Sequence, residues 1–180
     1  GGSDGVPGTL SLTALADDKR KDGMTARDAL AILRPRQWTK NVLLFAALVF
    51  SGHAFNRGDV ARTAVAFCLF CLVSGAVYAL NDIVDIEKDR AHPVKRDRPL
   101  PSGRLSVRAA WVLFVFLGPG ILAVSAMFDP RFAIAALAYF ILQIAYSLVL
   151  KNIVILDAFV ISFGFVLRVV AGALPIGVVI

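Results

Sequence analysis

Residues 60–89, VARTAVAFCLFCLVSGAVYALNDIVDIEKD, join a long apolar run to a cluster of acids directly behind it. A helix needs about 20 consecutive, mostly apolar residues to span the hydrocarbon core of a bilayer. The run from Val60 to about Asn81 has that length. The stretch therefore predicts a membrane-spanning helix that ends in a charged region.

The rest of the chain has the composition of a membrane protein. Of its 180 residues, 58% are hydrophobic, and the mean hydropathy is +0.73, whereas soluble domains are about 45–50% apolar. Four further apolar runs lie at residues 38–53, 105–128, 131–150 and 153–173. We therefore expect an all-α integral membrane protein, a helical bundle with about five spans in this chain.

The first 25 residues differ from this pattern. They are polar and Gly-rich, and they begin with Gly1-Gly2-Ser3, which is typical of a cloning remnant. We expect residues 1–25 to form a disordered cytoplasmic tail and residues 26–180 to form the transmembrane helical domain. Because the sequence stops soon after an apolar run, we expect this domain to be the N-terminal part of a larger bundle.

Lysine and arginine are distributed unequally between the two ends of the predicted helices. Of the 19 basic residues, fifteen lie before or at the first span, between spans two and three, or between spans four and five, and three lie at the opposite end. The positive-inside rule places the basic end in the cytoplasm. We therefore expect a multi-pass protein of the cell (inner or plasma) membrane, with its N-terminus and active site cytoplasmic. Because membrane topology accounts for the net charge of +6, no nucleic-acid partner is expected.

The acids after the second span fit the pattern N-D-x-x-D-x-x-x-D, formed by Asn81, Asp82, Asp85 and Asp89. Steps of three and four residues place the aspartates on one face of a helix. Like charges on one face repel each other unless a cation neutralises them. Mg²⁺ binds carboxylate oxygen and commonly completes its coordination with substrate phosphates. The spacing therefore predicts a Mg²⁺-diphosphate site, with a solvated helix end as the alternative.

Basic residues follow in the same loop: Lys95, Arg96, Arg98 and Arg104 surround two prolines and a glycine in KRDRPLPSGR, residues 95–104. Prolines stiffen a loop, and the arginine fork binds phosphate through two hydrogen bonds. These side chains are candidates for binding a phosphate group. Alternatively, these basic residues bind anionic lipid headgroups or serve only to set the orientation of the protein in the membrane.

A second polar cluster lies between spans four and five. Its members are Tyr146, Lys151 and Asp157, which we expect to bind substrate. If the helices meet at a central cavity, Lys151 can reach a phosphate, and Asp157 can ligate a metal or hold a hydroxyl. The alternative interpretation is an interfacial tyrosine with a snorkelling lysine. Lys40 enters the first span from the same side. Arg168 lies well inside the fifth span, where an ionisable side chain indicates a functional site or, alternatively, an ion pair between helices.

The motif N-D-x-x-D-x-x-x-D, followed by HPVKRDRPLPSG at residues 92–103, resembles the intramembrane prenyltransferases typified by 4-hydroxybenzoate polyprenyltransferase, the UbiA superfamily. The resemblance covers about residues 30–180. It implies a bundle of about nine spans with a cytoplasmic-facing cavity and a diphosphate held by Mg²⁺. This chain would then supply about the first half.

Two features are similar to the phosphoribosyltransferase branch of that superfamily. One is RPRQWTKN at residues 34–41, and the other is YSLVLKNIVILD at residues 146–157, where ordinary members have a second acid-rich motif. The branch transfers 5-phosphoribose from phosphoribosyl diphosphate to decaprenyl (polyprenyl) phosphate and releases diphosphate, for cell-wall arabinan and arabinogalactan synthesis.

The resemblance also implies roles for individual residues. Asp82, Asp85 and Asp89 would act in catalysis by holding Mg²⁺, and Asn81 would support the metal or a phosphate oxygen. Lys151 and Lys40 would bind the 5-phosphate of the donor. Arg98 and Arg104 would hold the diphosphate or the lipid phosphate. Whether the protein forms a homo-oligomer stays open.

Two other functions remain possible on the sequence alone. The first is a UbiA-type prenyltransferase that moves an isoprenoid from its diphosphate to an aromatic or small acceptor. The lysine in place of the second acid-rich motif argues against it. The second is a membrane transporter or anionic-lipid-binding protein with Arg168 on its pathway, which predicts no strict dependence on Mg²⁺.

Overall fold

A computed structural model describes residues 25–178, and this part of the chain is helical without any β-strand. The α-helices are, in chain order, α1 (Ala26–Ile32), α2 (Phe45–Phe50), α3 (Arg57–Val84), α4 (Ile86–Ala91), α5 (Val107–Val112), α6 (Gly118–Phe128), α7 (Pro130–Leu148) and α8 (Val154–Ala173). Short 3₁₀ helices cover Pro35–Leu44, His53–Phe55, Lys95–Asp97, Leu150–Asn152 and Leu174–Ile176. The tail predicted for residues 1–25 lies, apart from Thr25, outside the described residues.

Within residues 25–178, four helices are long and apolar enough to cross a membrane. They cover Arg57–Val84, Val107–Phe128, Pro130–Leu148 and Ile155–Ile176. They coincide within a few residues with the predicted second to fifth spans. The all-α membrane fold is therefore confirmed.

The first predicted span, residues 38–53, has a different local structure from the single helix expected. It consists of the 3₁₀ helix Pro35–Leu44, called here the 3₁₀ segment, followed by the six-residue helix α2. A 3₁₀ helix rises about 2.0 Å per residue, against about 1.5 Å for an α-helix, so this segment covers about 20 Å. Gly52, with a φ of 77°, follows α2 and turns the chain towards α3.

Helix α3 lies at the centre of the bundle and packs against α6, α7 and the 3₁₀ segment. Phe70 and Val73 of α3 are buried with Phe132 and Tyr139 of α7 in the main core cluster. The rings of Phe70 and Tyr139 lie 4.7 Å apart. In a bilayer, helices associate mainly through close van der Waals packing, because lipid tails are as apolar as the helix surfaces. The fit of these side chains is therefore what holds α3 and α7 together.

The predicted third span is one continuous helical run with an irregular middle. A π-helical turn covers Leu113–Leu117, directly before Gly118 and Pro119. A proline inside a helix lacks an N–H and its ring clashes with the carbonyl one turn earlier, so the turn before it widens. Gly118 also allows α6 to approach α7, because a Cβ at this position would lie 2.7 Å from the ring of Phe140.

Candidate functional site

A cavity of about 330 Å³, called here the central cavity, lies between α3, α7, α8 and the 3₁₀ segment. It is located at the end of the bundle where α3 ends and the loop between α7 and α8 begins. The sequence-predicted residues that line it are Lys40, Asn81, Asp85, Tyr146, Lys151 and Arg168. The structure therefore brings together side chains from four separate parts of the sequence.

The acidic motif is divided between two faces at the end of α3. Helix α3 ends at Val84, Asp85 has φ −96° and ψ 9°, and α4 begins at Ile86. Asn81 and Asp85 line the central cavity. Asp82 and Asp89 are buried on the neighbouring side. The three aspartates thus do not form the single continuous stripe that an uninterrupted helix would give.

Asp82 and Asp89 are instead paired with basic side chains. Asp82 forms an ion pair with Arg34, and Arg98 Nη1 lies 3.4 Å from Asp82 Oδ1 and 2.5 Å from Asp89 Oδ2. Lys95 Nζ lies 3.7 Å from the second oxygen of Asp89. Removing one partner from a buried ion pair leaves the other charge uncompensated, which is strongly destabilising. These contacts fix the loop of residues 92–104 against the end of α3.

The second polar cluster lies across the cavity from α3. Lys151 Nζ donates a hydrogen bond to Asp85 Oδ1 at 2.7 Å. The hydroxyl of Tyr146 donates to Asp157 Oδ1 at 2.8 Å and so joins α7 to α8. Predicted residues 66 positions apart in sequence, Asp85 and Lys151, are therefore in direct contact.

Six of the predicted site residues do not line the central cavity: Asp82, Asp89, Lys95, Arg98, Arg104 and Asp157. Arg104 lies on the exposed side of the loop. Its Nη2 donates to the backbone carbonyl of Asp97 at 2.6 Å, and its Nε lies 3.4 Å from Asp28 of α1. It is exposed and does not line the central cavity. In this conformation it ties the loop to α1, and its predicted role in phosphate binding stays a prediction.

Arg168 lies deep in the bundle, with 5% of its surface exposed. Its Nε donates to Asn41 Oδ1 at 2.9 Å, its Nη1 to the Gly164 carbonyl at 2.7 Å, and its Nη2 to the Tyr139 hydroxyl at 3.0 Å. The guanidinium carbon is 4.9 Å from the centre of the Tyr139 ring. The alternative interpretation, an ion pair between helices, is not observed among residues 25–178.

Asn41 connects Arg168 to α3. Its amide Nδ2 donates to Ser74 Oγ at 3.1 Å and lies 3.3 Å from Cys71 Sγ. The hydroxyl of Ser74 donates in turn to the Cys71 carbonyl at 2.9 Å. Every member of this chain of hydrogen bonds is buried, so the contacts hold the Arg168 side chain in one orientation.

Five polar residues that line the cavity were not singled out from the sequence: Arg34, Tyr78, Tyr139, Gln143 and Ser147. Tyr139, Gln143 and Tyr146 follow at steps of four and three residues in the otherwise apolar helix α7, which is a signal that could have identified them. Arg34 has a left-handed backbone with a φ of 51°, which the sequence does not reveal.

The cavity has an excess of positive charge. Its lining contains four cationic residues, Arg34, Lys40, Lys151 and Arg168, and one acid, Asp85. Low-dielectric walls strengthen such a field and favour anions. The arrangement fits a ligand with several negative charges, such as a phosphate ester.

The carboxylate of Asp85 and the side-chain amide oxygen of Asn81, which line the cavity, also suit Mg²⁺. Within residues 25–178, no three His, Cys, Asp or Glu side chains form a ready metal site. Mg²⁺, however, is usually held by one or two protein carboxylates together with water and substrate phosphates. Asp85 and Asn81 can supply the protein share of such a site. All three aspartates of the motif pair with a basic side chain, and their metal role stays a prediction.

The chain is similar in sequence to several known proteins. A decaprenyl-phosphate phosphoribosyltransferase of Mycolicibacterium smegmatis is 40% identical over 144 residues, covering 78% of this chain and 45% of the relative. One of Corynebacterium glutamicum is 36% identical over 177 residues, covering 92% and 52%. An uncharacterized protein of Sinorhizobium fredii is 40% identical over 147 residues, covering 81% and 28%. The chain spans about half the length of the two phosphoribosyltransferases.

The profile of the UbiA prenyltransferase family matches residues 41–178. This range includes the spanning helices and most of the side chains that line the central cavity. The chain therefore belongs to the UbiA prenyltransferase family of multi-pass membrane proteins.

Proposed function

We propose that the protein containing this chain transfers 5-phosphoribose from phosphoribosyl diphosphate to decaprenyl or another polyprenyl phosphate and releases diphosphate. The contact that carries the proposal is the 2.7 Å pair between Lys151 and Asp85 inside the central cavity. By the resemblance to the UbiA superfamily, ordinary members have a second acid-rich motif at the position where this chain has Lys151. The printed names of two relatives support the same choice of substrates.

The reaction exchanges one bond at C1 of the ribose. An oxygen of the acceptor phosphate forms a bond to C1, and the bond from C1 to the diphosphate breaks, so that the diphosphate leaves with the electron pair. The acceptor phosphate is already ionised, so no strong general base is needed. Carbon C1 gains oxocarbenium character, as in glycoside hydrolysis. The task of the protein is to align both substrates and to stabilise the charge of the leaving diphosphate.

The side chains of the cavity can perform these tasks. Asp85 and Asn81 would hold Mg²⁺, which neutralises negative charge on the diphosphate when it is bound. Lys151 and Lys40 supply positive charge for the phosphates of the donor. Arg98, which now pairs with Asp82 and Asp89, is available to a phosphate at the mouth of the cavity if those pairs open. Tyr146 and Asp157 position the start of α8.

The acceptor is a lipid, so the reaction takes place at a membrane. We place the cavity on the cytoplasmic side of the cell membrane, because the basic residues concentrate at that end. The isoprenoid tail would lie among the apolar helices, and the product would serve cell-wall arabinan synthesis.

Mass spectrometry of the lipid product tests this function. The full-length protein is incubated with Mg²⁺, polyprenyl phosphate and phosphoribosyl diphosphate, and in parallel with an isoprenyl diphosphate and 4-hydroxybenzoate. The expected product is a polyprenyl phosphate heavier by one phosphoribosyl group, formed only in the first mixture. Prenylation of the aromatic acceptor without phosphoribosyl transfer would refute the proposal, and a rate independent of Mg²⁺ would contradict the metal role.

A further inference from the structure

Arg168 carries a buried positive charge whose hydrogen-bond partners are all neutral. An arginine has five N–H donors. Three of its hydrogen bonds go to an amide oxygen, a backbone carbonyl and a hydroxyl, on Asn41, Gly164 and Tyr139. No carboxylate within residues 25–178 forms an ion pair with Arg168. Two N–H donors are therefore available to a ligand in the central cavity, which Arg168 lines.

The other buried or half-buried cations of the cavity are already compensated. Arg34 pairs with Asp82, and Lys151 pairs with Asp85. Arg168 gains some stabilisation from the aromatic rings of Tyr139 and Phe165, at 4.9 and 5.5 Å. Contacts of this kind contribute less than an opposite charge would in a desolvated site. Among residues 25–178, Arg168 is thus the buried arginine of the cavity that forms no ion pair with a carboxylate.

Arg168 and Asp85 mark two levels of the same cavity. Tyr139, which contacts Arg168, and Tyr146, which contacts Asp157 near Lys151, are seven residues apart on α7. Seven residues of α-helix rise about 10 Å. Phosphoribosyl diphosphate carries its two anionic groups on opposite sides of the ribose, on C1 and C5. A protein that binds this donor therefore needs two separate anion sites. One site binds the 5-phosphate, and the other binds the diphosphate together with Mg²⁺.

We infer that Arg168 binds the 5-phosphate of the donor, while the level of Asp85 and Lys151 binds its diphosphate. This inference rests on the proposed function and assigns the 5-phosphate to a different residue from Lys151. Binding at Arg168 would align C1 with the acceptor. It would also discriminate against isoprenyl diphosphates, which have no second phosphate group to replace the missing counter-charge.

The surroundings of Arg168 suit a fixed phosphate-binding group. Gly164 leaves room for the guanidinium, because a Cβ at this position would lie 3.3 Å from Arg168 Nη1 and 3.4 Å from Gln143 Nε2. Asn41 and Tyr139 fix the side chain from two sides. A preorganised arginine fork loses less conformational entropy when it binds phosphate.

Binding of two donor fragments tests the assignment. The full-length protein, wild type and Arg168→Gln, is titrated with ribose 5-phosphate and with inorganic diphosphate, both in the presence of Mg²⁺. Loss of a charged hydrogen-bond pair should weaken ribose 5-phosphate binding about 10- to 100-fold. Diphosphate binding should change less than about twofold. Arg168→Lys, which retains the charge without the fork, should lie between wild type and Arg168→Gln.

Arg57→Gln is the matched control, because Arg57 is exposed at the opposite end of the bundle and should leave both affinities unchanged. If Arg168→Gln does not fold, Arg168→Lys and Gly164→Ala still report on the site through the same two titrations. Equal weakening of both fragments, or a selective loss of ribose 5-phosphate in Lys151→Gln instead, would overturn the assignment. A wild-type protein that binds isoprenyl diphosphate but not phosphoribosyl diphosphate would refute the proposed function. In that case, wild type and Arg168→Gln are titrated with inorganic phosphate, and weaker binding by Arg168→Gln would show that Arg168 still binds an anion.

Discussion

Asp85 and Lys151 neutralise each other inside the cavity, and each is half-buried. The hydrogen bond from Lys151 Nζ, at 2.7 Å, holds the Asp85 carboxylate in the cavity that both side chains line. Asp85 is therefore the acid of the motif that is best placed to act on a bound ligand.

Replacing Asp85 with asparagine should lower kcat/KM for phosphoribosyl transfer by about 100-fold or more, because the charge that holds a metal-bound diphosphate is lost. The measurement is a steady-state assay of the full-length protein with varied phosphoribosyl diphosphate. Asp97→Asn, an exposed aspartate in the loop, is the matched control and should retain wild-type activity. Wild-type kinetics in Asp85→Asn would show that this acid has no catalytic role.

The sequence predicted six of the fifteen residues that line the cavity, but it did not predict how the aspartates divide between two faces. Asn81 and Asp85 could be recognised by their spacing, Lys151 by its place in a polar cluster between two spans, and Arg168 because an ionisable residue is costly in an apolar span. The position of Asp89 relative to Asp82 depends on the backbone break at Asp85 and on basic partners elsewhere in the sequence. Local periodicity contains no information on such contacts.

Helix α8 and the 3₁₀ segment approach each other backbone to backbone at Gly172. A Cβ on Gly172 would overlap the carbonyl oxygen of Leu44, and a backbone atom cannot turn aside as a flexible side chain can. This contact holds the segment that carries Asn41 and Lys40 against α8. The glycine is thus required by the packing of two elements.

Gly172→Ala should reduce the free energy of unfolding by about 1–3 kcal/mol, since overpacking forces neighbouring backbone to shift. Thermal unfolding in detergent micelles measures the change. Gly120→Ala is the matched control, because nothing lies within 4 Å of the added Cβ, and alanine is the better helix former. The packing argument would be wrong if the two variants had the same stability.

Asp129 caps the N-terminus of α7. Burial would raise the pKa of its carboxyl, but hydrogen bonds from the backbone N–H groups of Phe132 and Arg131 and from the Arg131 side chain outweigh burial. The pKa of Asp129 therefore lies below its ordinary value of 3.8. A group with a lowered folded pKa stabilises the fold above its unfolded pKa, and this contribution disappears as the pH falls through the folded pKa.

Asp129→Ala should cost about 1 kcal/mol of stability at neutral pH, because the cap is lost. The difference from wild type should narrow as the pH falls below 3.8, because the carboxyl of the unfolded chain then binds a proton while the pKa of the folded carboxyl is lower. Thermal unfolding of both proteins from pH 7 to pH 3 measures it, with Asp97→Ala as the control for one carboxylate fewer. A difference that stays constant over this range would argue against the carboxylate as the stabilising group.

The 3₁₀ segment shows the limit of prediction at the level of elements. Apolar periodicity identifies a helical run and its approximate length, and this was sufficient for the four spanning helices. It does not distinguish an α-helix from a 3₁₀ helix over ten residues, because that choice depends on neighbours such as Gly172 and Ser74. The first predicted span was consequently helical but of the wrong type.

For the whole molecule, the unequal distribution of Lys and Arg between the two ends of the bundle predicts its orientation in the membrane. The loop with Ser102 lies at the same end as the central cavity, whereas the turn with Asn56 lies at the other end of α3. We expect the cavity end to face the cytoplasm because it carries most of the Lys and Arg residues.

Cysteine labelling in sealed vesicles tests this orientation. In right-side-out vesicles, a charged maleimide added outside should label Asn56→Cys, and it should label Ser102→Cys only after the membrane is opened. Both positions are exposed. The native Cys68 and Cys71 lie within a spanning helix, where a charged reagent does not enter hydrocarbon, and the unsubstituted protein measures their background. Labelling in the reverse pattern would invert the topology.

The hydrogen bonds of α3 also have a consequence for biosynthesis. Ser74 and Asp82 are polar groups in a spanning helix, and their partners Asn41 and Arg34 precede α3 in the chain. A ribosome makes those partners first. A nascent α3 can therefore enter the bilayer with these groups already satisfied, before α7 and α8 have been translated. Deletion of residues 1–41 would remove both early partners and leave the insertion of α3 to its apolar residues alone.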